Sequence, residues 1–314
     1  MTKRFQVAGI GNAMVDVLAH ADDAFLAANG VEKGIMQLID RDGGVELYSR
    51  IGPAQEISGG SAANTIAGIA HLGGRTSYTG KVKDDQLGAI FAHDLRAQGA
   101  VYETALAPKD HEAETGRCIV LVTPDGERSM NTYLGVTEYL GPDDIDPAVM
   151  AEAEWIFLEG YRFDGPDSHE AFAKAIQAAR EAGGKVSLTL SDPFCIERHR
   201  AAFGAMLKDH VDLLFANRAE ILSMYETADF DTALNAAAAE IETVVVLGAG
   251  ARSRGRTSGL ARPIHAVAVA ARHAAAVTTR GRAGIVFGSL AARPSGADRD
   301  LTVGLRLRAR GAAT

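Results

Sequence analysis

The sequence predicts an α/β fold in which a mostly parallel sheet is covered by helices on both faces. Three observations predict it. From Glu154 onward, short apolar runs alternate with helical segments of roughly ten residues or more, the pattern of right-handed crossover units. Near the N-terminus, residues 5–11 form an apolar run that ends in glycine, as expected of a strand buried on both faces. Finally, 314 residues suffice to bury one large core.

The elements follow in order. Residues 61–72 carry apolar side chains at helical spacing and stop at Gly73-Gly74. Residues 76–80 read as a strand. Residues 84–98 read as a helix with acids in its first turn, where the helix dipole favours them. The β-prone runs 117–123 and 128–134 flank Pro124-Asp125-Gly126-Glu127, a hairpin signal. An antiparallel hairpin belongs to a layer other than a parallel sheet. Strands are then predicted at 155–159, 185–190, 211–216 and 243–247, and helices at 168–182 and 218–225. Ligands of such sheets sit at the carboxyl ends of the strands. No repeat of solenoid period is visible.

Composition narrows the function. A net charge of -8 opposes general binding to nucleic acid or anionic membranes, both polyanions. The two cysteines, Cys118 and Cys195, form no CxxC pair, which argues against a disulfide framework or a structural zinc site. No apolar run approaches the roughly 20 residues of a membrane helix. Lys3 and Arg4 precede a short apolar stretch, but Gly9, Gly11, Asn12 and Asp16 break it, so a cytoplasmic protein is expected rather than a signal peptide.

Four segments fall at strand ends or helix starts. In Gly9-Ile10-Gly11-Asn12-Ala13-Met14-Val15-Asp16 the third glycine of a dinucleotide fingerprint is missing, which weighs against a nicotinamide-dependent enzyme. Asp16 lies among Met14, Val15, Val17 and Leu18; it either caps a turn or accepts from a sugar diol, which offers two hydroxyl donors. In Ser58-Gly59-Gly60-Ser61-Ala62-Ala63-Asn64-Thr65, paired glycines permit close approach of a ligand to a helix N-terminus. A plain glycine turn and cap would explain all of these residues except Asn64. Gly80-Lys81-Val82-Lys83-Asp84-Asp85, followed by Gly88, is either a capping turn with solvated lysines or a ligand contact. Asn217-Arg218-Ala219-Glu220 is either a capping box or a pair able to hold a hydrated hard cation.

In this order, together with the Thr115-Gly116-Arg117 strand start and Leu190-Ser191-Asp192-Pro193-Phe194, the motifs resemble the ribokinase-like (PfkB) carbohydrate kinases, most closely the adenosine and nucleoside kinase branch. The resemblance covers residues 5 to about 248. It implies a ribokinase-like three-layer α/β/α sandwich, a single domain over 1–314, with a small β-sheet lid from segments near 15–40 and 100–134. Asp16, Asn12, Gly59, Gly60 and Asn64 would hold the substrate, a small-molecule nucleoside or sugar with adenosine the first to test. Asn217, Gly248 and Gly250 would face ATP, and Glu220 would organise Mg2+ through water. The reaction would be γ-phosphoryl transfer to a primary hydroxyl. A homodimer is compatible with the family.

The last fifth departs from this pattern. The family's D-T-x-G-A-G-D run supplies an anion hole and a base. Its nearest counterpart here is Val277-Thr278-Thr279-Arg280-Gly281-Arg282-Ala283-Gly284-Ile285, in which no Asp follows Gly284, so no catalytic residue is named. Residues 249–314 hold 12 Arg, no Lys and only the acids Asp298 and Asp300, a net +10; residues 1–248 carry -18. Three readings compete: a segment translated in part from a wrong frame, a divergent member that binds without catalysis, and a basic tail for nucleic acid. The tail reading is weakest, because aromatics are absent apart from Phe287. GC-rich DNA read out of frame yields Arg, Ala and Gly, so resequencing the gene is expected to reveal a frame lesion or a sequence error affecting residues 249–314. One intact frame giving this same protein would refute that.

Overall fold

The computed structural model describes residues 2–248 and the backbone of the strand Ala266–Ala271. Thirteen strands lie in these residues: β1 Phe5–Ile10, β2 Met14–His20, β3 Met36–Leu38, β4 Ala54–Gly59, β5 Thr76–Thr79, β6 Val101–Tyr102, β7 Gly116–Val122, β8 Arg128–Tyr133, β9 Ala153–Glu159, β10 Lys185–Thr189, β11 Leu213–Asn217, β12 Thr243–Gly248 and β13 Ala266–Ala271. Two sheets result. The larger runs β13-β12-β11-β10-β9-β1-β5-β6, parallel throughout except for β13, which is antiparallel to β12. The smaller, mixed sheet runs β3-β8-β7-β2-β4.

Helices bury both faces of the larger sheet because its strands alternate apolar residues front and back. Ala8 and Ile10 of β1 join a core with Ile156, Leu158 and Val186, closed by Phe172 and Phe203 from helices Ser168–Glu181 and Pro193–His210. Val7 faces the other way, onto Ile66 and Phe91 of helices Ser61–His71 and Gln86–Ala97. This is the three-layer α/β/α sandwich expected.

In the smaller sheet the same period of two sorts the residues. Val17, Ala19, Ile119 and Leu121 pack against Leu26 and Leu47 of helices Asp23–Ala28 and Arg41–Arg50. Met14, Cys118 and Val120 cluster separately, on the face that also carries Asp16, whose cross-strand neighbour is Cys118. The hairpin expected around Gly126 joins β7 and β8 in this second layer. Strand β4, outside the segments expected for the small sheet, pairs antiparallel with β2 and delivers Gly59 opposite Met14. No helix among the described residues is long and apolar enough to cross a membrane.

Candidate active site

The carboxyl ends of β1, β9, β10 and β11 converge on one edge of the large sheet, and the turn after β1 leads directly into the small sheet. At their centre is Glu159, the last residue of β9, fully buried. Its carboxylate accepts from the Asn12 amide at 2.5 Å, the Ala62 amide at 2.9 Å and the Ser61 hydroxyl. Burial pushes its pKa up, and these three donors together with the Arg162 charge pull against that. Two residues further along the chain from Gly160, Arg162 is buried to 1% exposure and donates to the Asn12 side-chain oxygen at 3.1 Å. Neither residue emerged from the sequence motifs. The available signal was a Glu and an Arg closing the apolar run Trp155-Ile156-Phe157-Leu158, where charge is costly unless paired.

Asn12 is itself buried, with its side-chain oxygen turned towards Arg162. Asp16 and Asn64 do come together: the exposed Asn64, in the helix that starts at Ser61, lies near enough to the Asp16 carboxylate to favour its ionised form. Burial raises the Asp16 pKa from 3.8 to about 7, while the Arg128 charge and the nearby Asn64 amide oppose the rise. Gly59 and Gly60 make this approach possible. A Cβ on Gly59 would collide with the Asp16 carboxylate, and Gly60 adopts φ 96° with its α-carbon facing the Asn12 carbonyl.

The other two motifs resolve differently. Asp85 caps helix Gln86–Ala97 through the Gly88 amide at 2.8 Å and also accepts from the Thr115 amide and hydroxyl, tying that helix to the start of β7. The lysines beside it are engaged rather than solvated: Lys81 pairs with Asp144 at 2.8 Å and Lys83 donates to the His111 carbonyl at 2.6 Å. Asn217 and Glu220 form a reciprocal capping box, with the Asn217 amide donating to Glu220 and the Glu220 amide donating to Asn217, each at 2.8 Å. Burial, joined by the charge of Asp192, lifts Glu220 from 4.5 to about 7. Asp192 caps helix Pro193–His210 from the end of β10, directly after Ser191, which holds φ 69°. Among the described residues no cluster of three or more His, Cys, Asp or Glu could ligate a metal directly. Gly248 closes β12, whereas Gly250 and the 277–285 run with Gly284 lie outside the described residues. Two open clefts of about 610 and 570 Å³ flank helix Gln86–Ala97 and contain neither Asp16 nor Asn64.

Residues 34–253 match the profile of the pfkB family carbohydrate kinases. The chain belongs to that family. The match ends a few residues beyond the point where the composition turns basic. Among solved structures, this kinase-family fold is similar to the adenosine kinase from Sinorhizobium meliloti, with a TM-score of 0.76 and 44% identity, covering 86% of this chain and 78% of that one. It is also similar to a probable sugar kinase from Rhizobium etli, with a TM-score of 0.75 and 46% identity over 78% of this chain and 74% of that one. The guanosine-inosine kinase of Escherichia coli is 26% identical over 231 residues, 71% of this chain. The chain spans about half, 53%, of that relative's length.

Two outcomes follow from this geometry. Gly60→Ala is expected to lose about 2 kcal/mol or more in urea denaturation, since a left-handed φ costs on the order of 1–3 kcal/mol without glycine and the new methyl meets backbone. A loss below half of that would contradict the close approach to Asn12. Second, Asp16 keeps its proton up to about pH 7 when folded but releases it near 3.8 when unfolded. The native state therefore holds more protons in that window, and stability falls as pH rises from about 4 to about 7, then levels off. The stability difference between wild type and Asp16→Asn should follow that curve; a difference independent of pH would show that Asp16 is not held protonated.

Proposed function

We propose that this chain binds a nucleoside, adenosine first, and acts as an ATP-dependent kinase towards its primary hydroxyl. The observation that carries the reading is the Asp16–Asn64 pair, set against two glycines at the carboxyl end of a parallel sheet. Asp16 offers acceptors and Asn64 both donors and acceptors, which suits a ribose diol. The apolar residues sharing the Asp16 face of the small sheet, Met14, Leu18, Val120 and Met130, suit a flat base beside the sugar. In this reading the small sheet is the lid, and its closure excludes water from the reacting groups.

Asn217 at the end of β11 and Gly248 at the end of β12 would line the nucleotide side, as would Gly250. Both Glu220 oxygens already accept from Asn217, so a Mg2+ ion would be held there through water. When bound, that ion supplies charge neutralisation to the phosphates. The work of this chain's own residues is then positioning, which accounts for most of such catalysis. The names of the similar proteins, adenosine kinase and guanosine-inosine kinase, support a nucleoside.

A specific observation favours a second reading: residues 277–285 contain no acid to take the hydroxyl proton. The chain would then bind nucleoside without turning it over. ADP release with ATP, Mg2+ and adenosine, inosine, guanosine, ribose or fructose separates the two. Turnover supports the kinase, and tight binding without turnover supports the silent protein. In either case Asp16→Asn is expected to weaken nucleoside binding by about 1–3 kcal/mol, the scale of a lost charged hydrogen bond. Hydroxyl donors favour the ionised carboxylate, so wild-type affinity should rise between pH 6 and 8 and that of the variant should not. An unchanged dissociation constant in the variant removes Asp16 from the site.

A further inference from the structure

We propose that Arg162 is a positioning residue that bolts together two of the four chain crossings between the sheets, the first and the last, and so sets the small sheet over the site. The chain leaves the large sheet at residues 11–13, between β1 and β2, and returns from the small sheet after β8, through residues 134–140. Arg162 holds both. Its Nη1 donates to the Asn12 side-chain oxygen at 3.1 Å and to the Thr137 carbonyl at 2.6 Å, and its Nη2 donates to the Leu140 carbonyl at 2.9 Å. The fourth bond, to the Ser168 hydroxyl at 2.6 Å, anchors the guanidinium to a helix of the large-sheet core. A further link closes the ring: the Ala13 amide donates to the Thr137 hydroxyl at 3.1 Å.

The chemistry of the group suits this task. A guanidinium offers five donors in a rigid planar fork, and four are used here on three separate segments. Among the described residues the charge has no carboxylate in bonding contact. Its compensation comes across Asn12, whose amide donates to Glu159 while its side-chain oxygen accepts from Arg162. A buried cation is costly, and burial lowers the Arg162 pKa. A structural filler at this place would be apolar; a charged fork that reaches two crossings is a device for fixing their relative position. The seat is tight as well, since a methyl on Gly165 would lie 2.6 Å from Nη2. Asp16 lies three residues past Ala13 on β2, so any rotation of this turn moves it relative to Asn64.

The consequence for ligand binding rests on the proposed nucleoside site; the bolt itself does not. Adenosine affinity by calorimetry and amide exchange by mass spectrometry are measured for wild type, Arg162→Lys and Arg162→Met, at a temperature where each is folded by near-ultraviolet circular dichroism. Arg162→Met is expected to weaken adenosine binding at least tenfold and to speed exchange at residues 12–13 and 135–140 together. Arg162→Lys, which keeps the charge but loses the fork, should recover only part of both. A folded Arg162→Met with unchanged affinity and unchanged exchange at the two crossings overturns the proposal. If Arg162→Met does not fold, Gly165→Ala and Ser168→Ala disturb the guanidinium seat without removing it. Both should then weaken binding several-fold and loosen the same two segments, and no change in either overturns the proposal. Should the wild type bind no nucleoside or sugar, the proposed function fails, while the exchange readout still decides whether Arg162 joins the crossings.

Discussion

The arrangement depends on one buried carboxylate. Glu159 sits at the end of a central strand, where water cannot reach it, and burying an ion there costs several kcal/mol unless its oxygens are satisfied. They are satisfied by the two segments that must face each other across the site: the turn after β1, through the Asn12 amide, and the first turn of helix Ser61–His71, through Ser61 and Ala62. That helix start has no side-chain cap of its own, because its N-cap is Gly60. One free donor of its first turn, the Ala62 amide, is instead taken by Glu159. Capping of a helix and placement of Asn64 are thus one interaction.

The strain at Gly60 follows from the same constraint. Once Glu159 draws both segments to β9, the chain leaving β4 must turn within one residue and pass the Asn12 carbonyl closely. Only glycine supplies φ 96° without a clash. Gly59 yields space to Asp16 for a related reason: β2 and β4 pair antiparallel up to Met14 and Gly59, which leaves the Asp16 carboxylate over the glycine. The paired glycines therefore answer to internal geometry first, and the room they leave beside Asp16 and Asn64 is a product of it.

These relations explain what could be read from the sequence. All strands of the large sheet but β6 and β13 were legible because burial on both faces leaves continuous apolar runs, as in Trp155–Leu158, and the helices Ser61–His71, Gln86–Ala97, Ser168–Glu181 and Arg218–Met224 because their apolar spacing is regular. Strand β4 was not legible: Ala54-Gln55-Glu56-Ile57-Ser58-Gly59 is half polar and belongs to a thin sheet with one partner strand on that side. The helix Arg41–Arg50 was hidden by Gly43-Gly44, and Phe230–Glu240 by a run of alanines that carries little periodic signal. For the candidate site, Asp16 and Asn64 could be singled out because their residue types stand out against apolar neighbours. The pairing of Glu159 and Arg162 through Asn12 joins positions about 150 residues apart, and no local pattern encodes such a contact.

The Asn217–Glu220 capping box leaves room for the binding role proposed for the same two residues. A reciprocal box uses one lone pair on each Glu220 oxygen and leaves the second free for water. Its cost is visible in the shifted carboxyl, which sits near neutrality because burial and the Asp192 charge both disfavour ionisation. A cation near these two acids would relieve that repulsion, so the same geometry that makes the helix start self-sufficient also makes it more favourable when a positive charge is present. Asp16 is shifted in the same direction by burial, although there the Arg128 charge opposes the shift. Asp16 and Glu220 are thus two carboxyl groups whose burial holds them near pKa 7, whereas the Glu159 oxygens are taken up by Asn12, Ser61 and Ala62.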